Sequence, residues 1–327
     1  MLTDVKNVRV LVVGGAGYIG SHVQKQLLEE GFQVVVFDNL STGDKVNLLK
    51  GAAFIEGNIL DKQALNDAMS QNIDAVVHLA AKKAVGESME HPEIYAENNI
   101  TGALNILNAM VANGVKHIVF SSSAAVYGMP EYIPLNEKHQ IKPINYYGYT
   151  KICIEQNMDW YAKLGKLNYA ALRYFNAVGY AADKSITGRE RNPQNLLPII
   201  MEVATGKREK LSIFGNDYDT PDGTCVRDYI HVSDLATAHT LALRYLMTDN
   251  QSFAVNLGTG KGTSVKEMVD ATEKVIGKKL NYDYAPRRAG DPAELTADAS
   301  LARAILGWKP RYTDVEEIIR TVWNLEI

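Results

Sequence analysis

Alternating strand and helix patterns, and a glycine triplet placed between the first two, predict an α/β protein built on a doubly wound parallel sheet. A change of pattern after about residue 175 predicts a smaller α/β unit in the C-terminal part of the 327-residue chain. Short β-branched runs bounded by helical stretches are the signature of βαβ units, and successive units make a parallel sheet with helices on both faces.

The elements follow in order. Val8 to Val13 is a β-branched run of the kind buried in a parallel sheet. Gly14, Gly17 and Gly20 come next, and "SHVQKQLLEEG" continues with helical periodicity to a stop at Gly31. "QVVVFD" is a second strand ending in Asp38. In a strand–glycine turn–helix unit the glycines allow a tight turn, close approach to a dinucleotide diphosphate and close helix–strand packing. The helix N-terminus presents free N–H groups to those phosphates. Asp38 lies about 20 residues on, where a carboxylate accepts from a ribose diol and repels a 2′-phosphate. The unit is therefore read as a Rossmann-type site for NAD rather than NADP. Phe54 and Ile55 give a third strand, "LNDAMSQN" a helix, and "IDAVVHLAA" a strand ending near Leu79 to Ala81. "NNITGALNILNAMVANG" is an amphipathic helix, and "VKHIVFSSSAAVYG" a strand running into serines. Ligands on such sheets sit at the carboxyl ends of the strands, and all these polar clusters fall there.

"INYYGYTK" opens a further helix that is expected to end at Gly165. Residues four apart share a helix face, which pairs Tyr147 with Lys151 rather than Tyr146 or Tyr149. An adjacent ammonium favours the phenolate. Moving a tyrosine from ~10 to neutral pH needs roughly three units, about 4 kcal/mol, so a second positive charge is required beside the lysine. After about residue 175 the loops lengthen. The expected division is a cofactor domain over 1–175 and a mainly substrate-binding domain over 176–327, with a strand and helix around 226–247 returning to the main sheet.

Composition narrows the classes. Hydrophobic content of 46% and charged content of 22% are ordinary for a globular chain. A net charge of -4 offers no basic footprint for nucleic acid. Two cysteines, Cys153 and Cys225, make no disulfide framework and suggest the cytoplasm. No apolar run approaches the ~18 residues of a membrane span, and the N-terminus does not read as a signal peptide. The seven histidines are scattered without metal-ligand spacing, so no metal is expected.

Taken together, Gly14-x-x-Gly17-x-x-Gly20, Asp38, a serine at a strand end and Tyr147-x-x-x-Lys151 resemble the extended short-chain dehydrogenase/reductase family. "GGAGYIGSH", "DNLSTG", "KAVGES", "SSSAAVYG", "RYFNAVG", "GNDYDTPDGTCVRDYIHVSDLA" and "APRRAGD" resemble its UDP-hexose 4-epimerase branch, in order over nearly the whole chain. The resemblance implies inversion at C4 of a UDP-hexose, UDP-galactose to UDP-glucose, through a 4-keto sugar. It implies Tyr147 as the proton-transfer group, Lys151 as the ribose-binding lysine and Ser123 as the partner of the sugar hydroxyl. It implies bound NAD, which would be the second positive charge. The cofactor-lining positions it suggests are Gly14, Gly17, Tyr18, Ile19, Gly20, Asp38, Asn39, Asn58, Ile59, Leu79, Ala80, Ala81, Lys83, Asn98 and Tyr174, with Tyr147 and Lys151. For the UDP-sugar it suggests Lys83, Ser123, Asn176, Asn195, Leu196, Phe214, Arg227, Arg288, Asp291 and Leu295. Two arginines suit a diphosphate, and an aromatic ring suits a uracil. A homodimer formed through two helices is also implied.

Two positions depart from the family pattern. Ala125 stands where the family often has Thr, and Leu295 is intermediate in size where bulk sets pocket volume. UDP-N-acetylhexosamine or UDP-glucuronate therefore stand as alternative substrates. Dehydratases of this fold carry an Asp-Glu pair after the strand-end Ser/Thr, and Ala124 and Ala125 occupy those places here. A non-catalytic NAD-sensing regulator would have no use for Ser123, Tyr147 and Lys151 together.

Overall fold

The computed structural model describes residues 5–190, 193–288 and 290–327. Its strands are β1 (Arg9–Val13), β2 (Gln33–Asp38), β3 (Ala53–Glu56), β4 (Ala75–His78), β5 (His117–Ser123), β6 (Asn168–Tyr174), β7 (Asn176–Val178), β8 (Leu211–Phe214), β9 (Val226–His231), β10 (Phe253–Leu257), β11 (Gly262–Ser264), β12 (Tyr282–Ala285) and β13 (Glu294–Leu295). Seven of them form one parallel sheet in the order β10-β6-β5-β4-β1-β2-β3. The doubly wound expectation matches this architecture. The chain order reverses at β1, which pairs with both β2 and β4, so the crevice for a ligand opens where the loops after β1 and β4 part.

Both faces of the sheet are covered. Val10, Val12, Val34, Val36 and Val77 face a core completed by Val23 and Leu27 of the first helix and by Leu235, Leu243 and Leu246. Leu11, Val13, Val35 and Val76 face the opposite core, with Ile106, Met110, Ile154 and Met158. Two-sided burial is why these strands are continuous apolar runs rather than alternating ones.

The C-terminal unit has its own core around Leu197, Ile200, Ile213, Met268 and Ile319. It holds a small sheet of β11, β9 and β13 with β7 added on β9, and a parallel pair β8/β12. The expected return at 226–247 is corrected in one respect. Its strand, β9, belongs to the small sheet, whereas its helix, Val232–Asp249, buries Leu235, Leu243 and Leu246 against the main sheet. The strand that rejoins the main sheet is β10, which lies parallel to β6. A strand-then-helix pattern specifies local structure but not which sheet edge the strand meets.

Two local boundaries also differ. β4 stops at His78, because Leu79 and Ala80 both turn their N–H groups to the Val13 carbonyl, at 2.8 and 3.1 Å. The stretch after Tyr95 begins as a wide π turn over Ala96–Thr101 before the α-helix Gly102–Ala112. Among the described residues no helix is long and apolar enough to cross a membrane.

Candidate active site

The glycine turn packs as a phosphate cradle needs to. Gly14 has φ +83°, and a Cβ there would stand 2.5 Å from the Ala80 nitrogen. A Cβ on Gly20 would meet the Gly14 carbonyl at 2.3 Å. Gly17 differs: the only atom within 4 Å of a Cβ there is that carbonyl, at 3.3 Å. Protein packing thus demands Gly14 and Gly20, while the space beside Gly17 is open to a ligand. The helix Tyr18–Glu29 starts at Gly17 with no side chain capping it, which leaves its first turn, including Ile19, suited to an anion. The Tyr18 phenol is committed elsewhere, donating to the Gly179 carbonyl at 2.6 Å, so only its main chain can serve a cofactor.

Asp38 ends β2 and is buried. Its carboxylate accepts from Ala16 N–H at 3.0 Å and Leu40 N–H at 2.8 Å. Burial raises its pKa and the two hydrogen bonds oppose that rise. Each oxygen keeps acceptor capacity for a ribose hydroxyl. Asn39 and Asn58 are exposed just beyond β2 and β3, each turned back to its own loop, onto Ser41 N–H and Leu60 N–H. Ile59 is buried under them. Leu79, Ala80 and Ala81 form the half-buried loop after β4. Asn98 lies half-buried in the π turn. Lys83 is exposed and paired with Glu190 of the C-terminal unit. The glycine cradle, the uncapped helix and the Asp38 carboxylate together fit an NAD molecule.

The catalytic candidates come from β5 and one helix. Asn145 caps the helix Tyr146–Lys163 by accepting from Gly148 N–H at 2.8 Å, which places Tyr147 in its first turn. Ser123 ends β5 and accepts from Ala125 N–H at 3.2 Å. Its hydroxyl is near enough to the Tyr147 phenol to favour the ionised form. Lys151 is 2% exposed. Its ammonium lies 5.6 Å from the Tyr147 ring centre and 4.8 Å from that of Phe120, and donates to the Ser121 carbonyl at 2.7 Å. Serine, tyrosine and lysine are thus brought together.

The electrostatics differ from the simple tyrosine–lysine pairing. Burial pushes the Tyr147 phenol up to about 12, with the nearby Ser123 hydroxyl opposing. Burial brings Lys151 down to about 7, with Glu155 opposing. The lysine spends its hydrogen bond on Ser121 rather than on the phenol, so the protein alone leaves Tyr147 protonated at neutral pH. Tyr174 hydrogen-bonds the Ser121 hydroxyl, and burial raises its pKa.

Residues that the sequence reading passed over hold this group in place. Asn99 clamps the loop after β4, with its Oδ1 accepting from Lys82 N–H at 2.8 Å and its amide donating to the Lys82 carbonyl and the Thr150 hydroxyl at 3.0 and 3.1 Å. Glu155, one turn after Lys151, accepts from the Ser122 hydroxyl and from Arg173 Nε and Nη2, at 3.1 and 2.5 Å. Arg173 also donates to the Tyr127 phenol at 3.1 Å, and that phenol donates to Asn256 at 2.6 Å. A carboxylate four residues after a lysine was the available signal for Glu155, though the same spacing also marks solvated helix faces.

The C-terminal unit supplies the other wall. Phe214 ends β8 and faces Ala285 of β12 in register, so the next loop brings the Arg288 guanidinium 3.9 Å above the Phe214 ring. Arg227, on β9, donates to the carbonyls of Val226 and Pro292 at 2.8 and 3.0 Å and lies 3.6 Å from Asp291. Leu295 pairs with Arg227 across β13 and β9, and packs against the Ala124, Val126, Tyr127 and Leu135 cluster just after Ser123. It therefore touches both the strand of Arg227 and the residues that follow Ser123. Asn176 opens β7 opposite Tyr229 of β9. Asn195 precedes the helix Leu196–Ala204 and borders a cavity of about 130 Å³, and Leu196 is half-buried beside it. Among the described residues no three His, Cys, Asp or Glu side chains are grouped to hold a metal ion.

Proteins of known name and structure match the chain over nearly its whole length. A UDP-glucose 4-epimerase of Halalkalibacterium halodurans is 47% identical over 317 residues, spanning 96% of this chain and 94% of the relative. The crystal structure of UDP-glucose 4-epimerase from Brucella ovis in complex with NAD superposes with a TM-score of 0.93 at 44% identity, over 96% of this chain and 97% of that one. The enzyme from Bifidobacterium longum, in complex with NAD+ and UDP, superposes with a TM-score of 0.92 at 38% identity, over 98% of each chain. The pattern of the NAD dependent epimerase/dehydratase family matches residues 10–258, three quarters of the length and all of the main sheet except Arg9, and the chain belongs to that family.

Proposed function

We propose that this chain epimerises UDP-galactose and UDP-glucose at C4, using a bound NAD. The observation that carries the reading is the convergence of Ser123, Tyr147 and Lys151 at the carboxyl edge of the main sheet, with Leu295 touching both the residues that follow Ser123 and the strand of Arg227.

When bound, NAD supplies the hydride acceptor and donor and a positive charge beside the phenol. Tyr147 takes the proton of the 4-hydroxyl as the sugar becomes a 4-keto hexose, and returns it to the same oxygen after the sugar has turned over, so that the C–H bond at C4 is re-formed on the other face. Ser123 orients that hydroxyl and favours the phenolate by donating to it. Lys151, fixed by Ser121, holds the ribose next to the reacting ring. Arg227 and Arg288 grip the diphosphate, Phe214 carries the uracil and Asp291 accepts from the uridine ribose. For this, Arg288 leaves or shares the Phe214 face. The hexose end meets the side of Leu295 rather than charged groups, which suits a keto sugar that must turn over while its nucleotide stays in place.

Asp38 and the glycine cradle support NAD over NADP. A homodimer fits the exposed apolar side chains on the helix after Tyr147, where Tyr149, Trp160 and Leu164 lie outward and Trp160 is 62% exposed. Cys153 and Cys225 are free, which fits a cytoplasmic enzyme. The test is incubation of the purified protein, without added cofactor, with UDP-galactose, followed by NMR of the anomeric protons. Appearance of UDP-glucose is expected. No conversion even after NAD+ is added would overturn the reading.

A further inference from the structure

The helix that opens the glycine motif has a second task on its other side. Tyr18, His22 and Lys25 are spaced i, i+4, i+7 and share one face. They grip Gly179, Ala181 and Asp183, alternate residues of the segment leaving β7. Tyr18 donates to the Gly179 carbonyl at 2.6 Å, His22 Nε2 accepts from Ala181 N–H at 3.1 Å, and Lys25 pairs with Asp183 at 2.7 Å. The segment is bent rather than straight, with Gly179 at φ +86° and Lys184 N–H returning to the Ala181 carbonyl at 3.0 Å, and the bend lays its alternate residues along the helix face. The Ala181 bond requires Nε2 to be unprotonated, so His22 Nδ1 carries the hydrogen and donates to the Tyr18 carbonyl at 2.9 Å.

The grip reaches both substrate strands. The Tyr180 ring packs against Tyr18 and His22, with ring centres 5.1 and 5.7 Å away. Tyr180 N–H donates to the Thr321 hydroxyl at 3.1 Å, and that hydroxyl lies 3.3 Å from His231 Nε2. His231 is the last residue of β9, the strand of Arg227. Asn176 lies three residues before Gly179 on the gripped segment. Lys25 and Asp183 are partly exposed and hold weakly, whereas Tyr18 and His22 make enclosed bonds.

We infer that Tyr18 and His22 are positioning residues for the nucleotide-sugar, although they belong to the cofactor motif. Their side chains set the placement of Asn176 and Arg227 relative to the cofactor helix, and so couple the two ligand sites. This rests on the reading of the site given above.

The test uses the holoenzyme. The Kd of UDP is measured by calorimetry, and retained NAD per chain by absorbance after denaturation, for wild type, Tyr18→Phe, His22→Leu and His22→Gln. Losing one such bond is expected to weaken UDP about three- to tenfold. His22→Gln, whose amide oxygen accepts the Ala181 N–H, should recover part of the loss, and NAD content should stay at the wild-type level. Saturating UDP should slow NAD release from wild type more than from Tyr18→Phe. An unchanged UDP Kd in Tyr18→Phe and His22→Leu would overturn the inference. So would parallel loss of NAD and UDP with a lowered unfolding temperature, which marks ordinary packing. A wild-type protein that holds NAD but does not bind UDP would instead overturn the functional reading, and the coupling with it.

Discussion

Glu155→Ala tests whether the buried ion pair beneath the active site holds it together. Arg173 and Glu155 are 7% and 5% exposed. The carboxylate accepts from Arg173 Nε and Nη2 and from Ser122, leaving Tyr127 as the arginine's other side-chain partner. Removing the acid strands a cation in the interior, and breaking such a pair from one side costs about 3–5 kcal/mol. Against a typical total stability of 5–15 kcal/mol, that is a large fraction. At roughly 2 °C per kcal/mol for a chain of this size, thermal unfolding should fall by about 6–10 °C. The assay is differential scanning calorimetry at saturating NAD, with Glu155→Met, Arg173→Met and the double variant Glu155→Met/Arg173→Met forming a cycle beside Glu155→Ala. The double variant should be much closer to wild type than Glu155→Ala, because no lone charge remains. Epimerase kcat should drop in Glu155→Ala, since Ser122 precedes Ser123 and Glu155 lies one turn beyond Lys151. A loss below about 1 kcal/mol in Glu155→Ala, or a double variant as unstable as the sum of the singles, would refute the argument.

Tyr147→Phe should lower turnover by roughly 10²–10⁴ while retaining NAD and UDP, and near-normal turnover would remove Tyr147 from its role. Leu295→Ala should raise the activity on UDP-N-acetylgalactosamine relative to UDP-galactose and Leu295→Tyr should lower it, which competition assays with the two sugars would read directly. Stability should fall steeply on acidification, because burial lowers His22 and His239 to about 4, and His78 and His231 to about 3. With folded values below the unfolded ones, the unfolded chain takes protons first. The stabilisation is therefore complete above about pH 6.5 and is lost as pH falls through about 4 for His22 and His239 and about 3 for His78 and His231. Each histidine contributes a slope of about 1.4 kcal/mol per pH unit in that window. Asp38, Asp228 and Asp234, raised by burial, oppose the effect at its acid end. An unfolding temperature that stays flat between pH 6.5 and 4.5 would contradict the burial of these rings.

Much of this was legible because it is local. The run Val8–Val13, three glycines, a periodic helix and Asp38 are consecutive, and each constrains its neighbour's geometry, so they emerge as β1, turn, helix and β2 with Asp38 on the turn. Tyr147 and Lys151 share a face by helical spacing alone. What a single helix cannot reveal is its partner. Lys151 bonds the Ser121 carbonyl, 30 positions away. Glu155 on a helix reads as a solvated charge until Arg173 of β6 closes on it. Arg288 above Phe214 depends on β8 and β12 lying parallel, and the edge that β9 joins is decided by β7 and β13. Non-local pairing of this kind leaves no period in the sequence.

The central claim is that C4 inverts by oxidation and reduction inside the protein, and the most direct measurement is epimerisation of UDP-galactose in deuterated water with analysis of the product at C4. The account predicts UDP-glucose with no deuterium on that carbon, because the hydrogen removed from C4 never reaches solvent. Deuterium at C4 would contradict it and point to a deprotonation route, and absence of product with NAD present would remove the epimerase reading altogether.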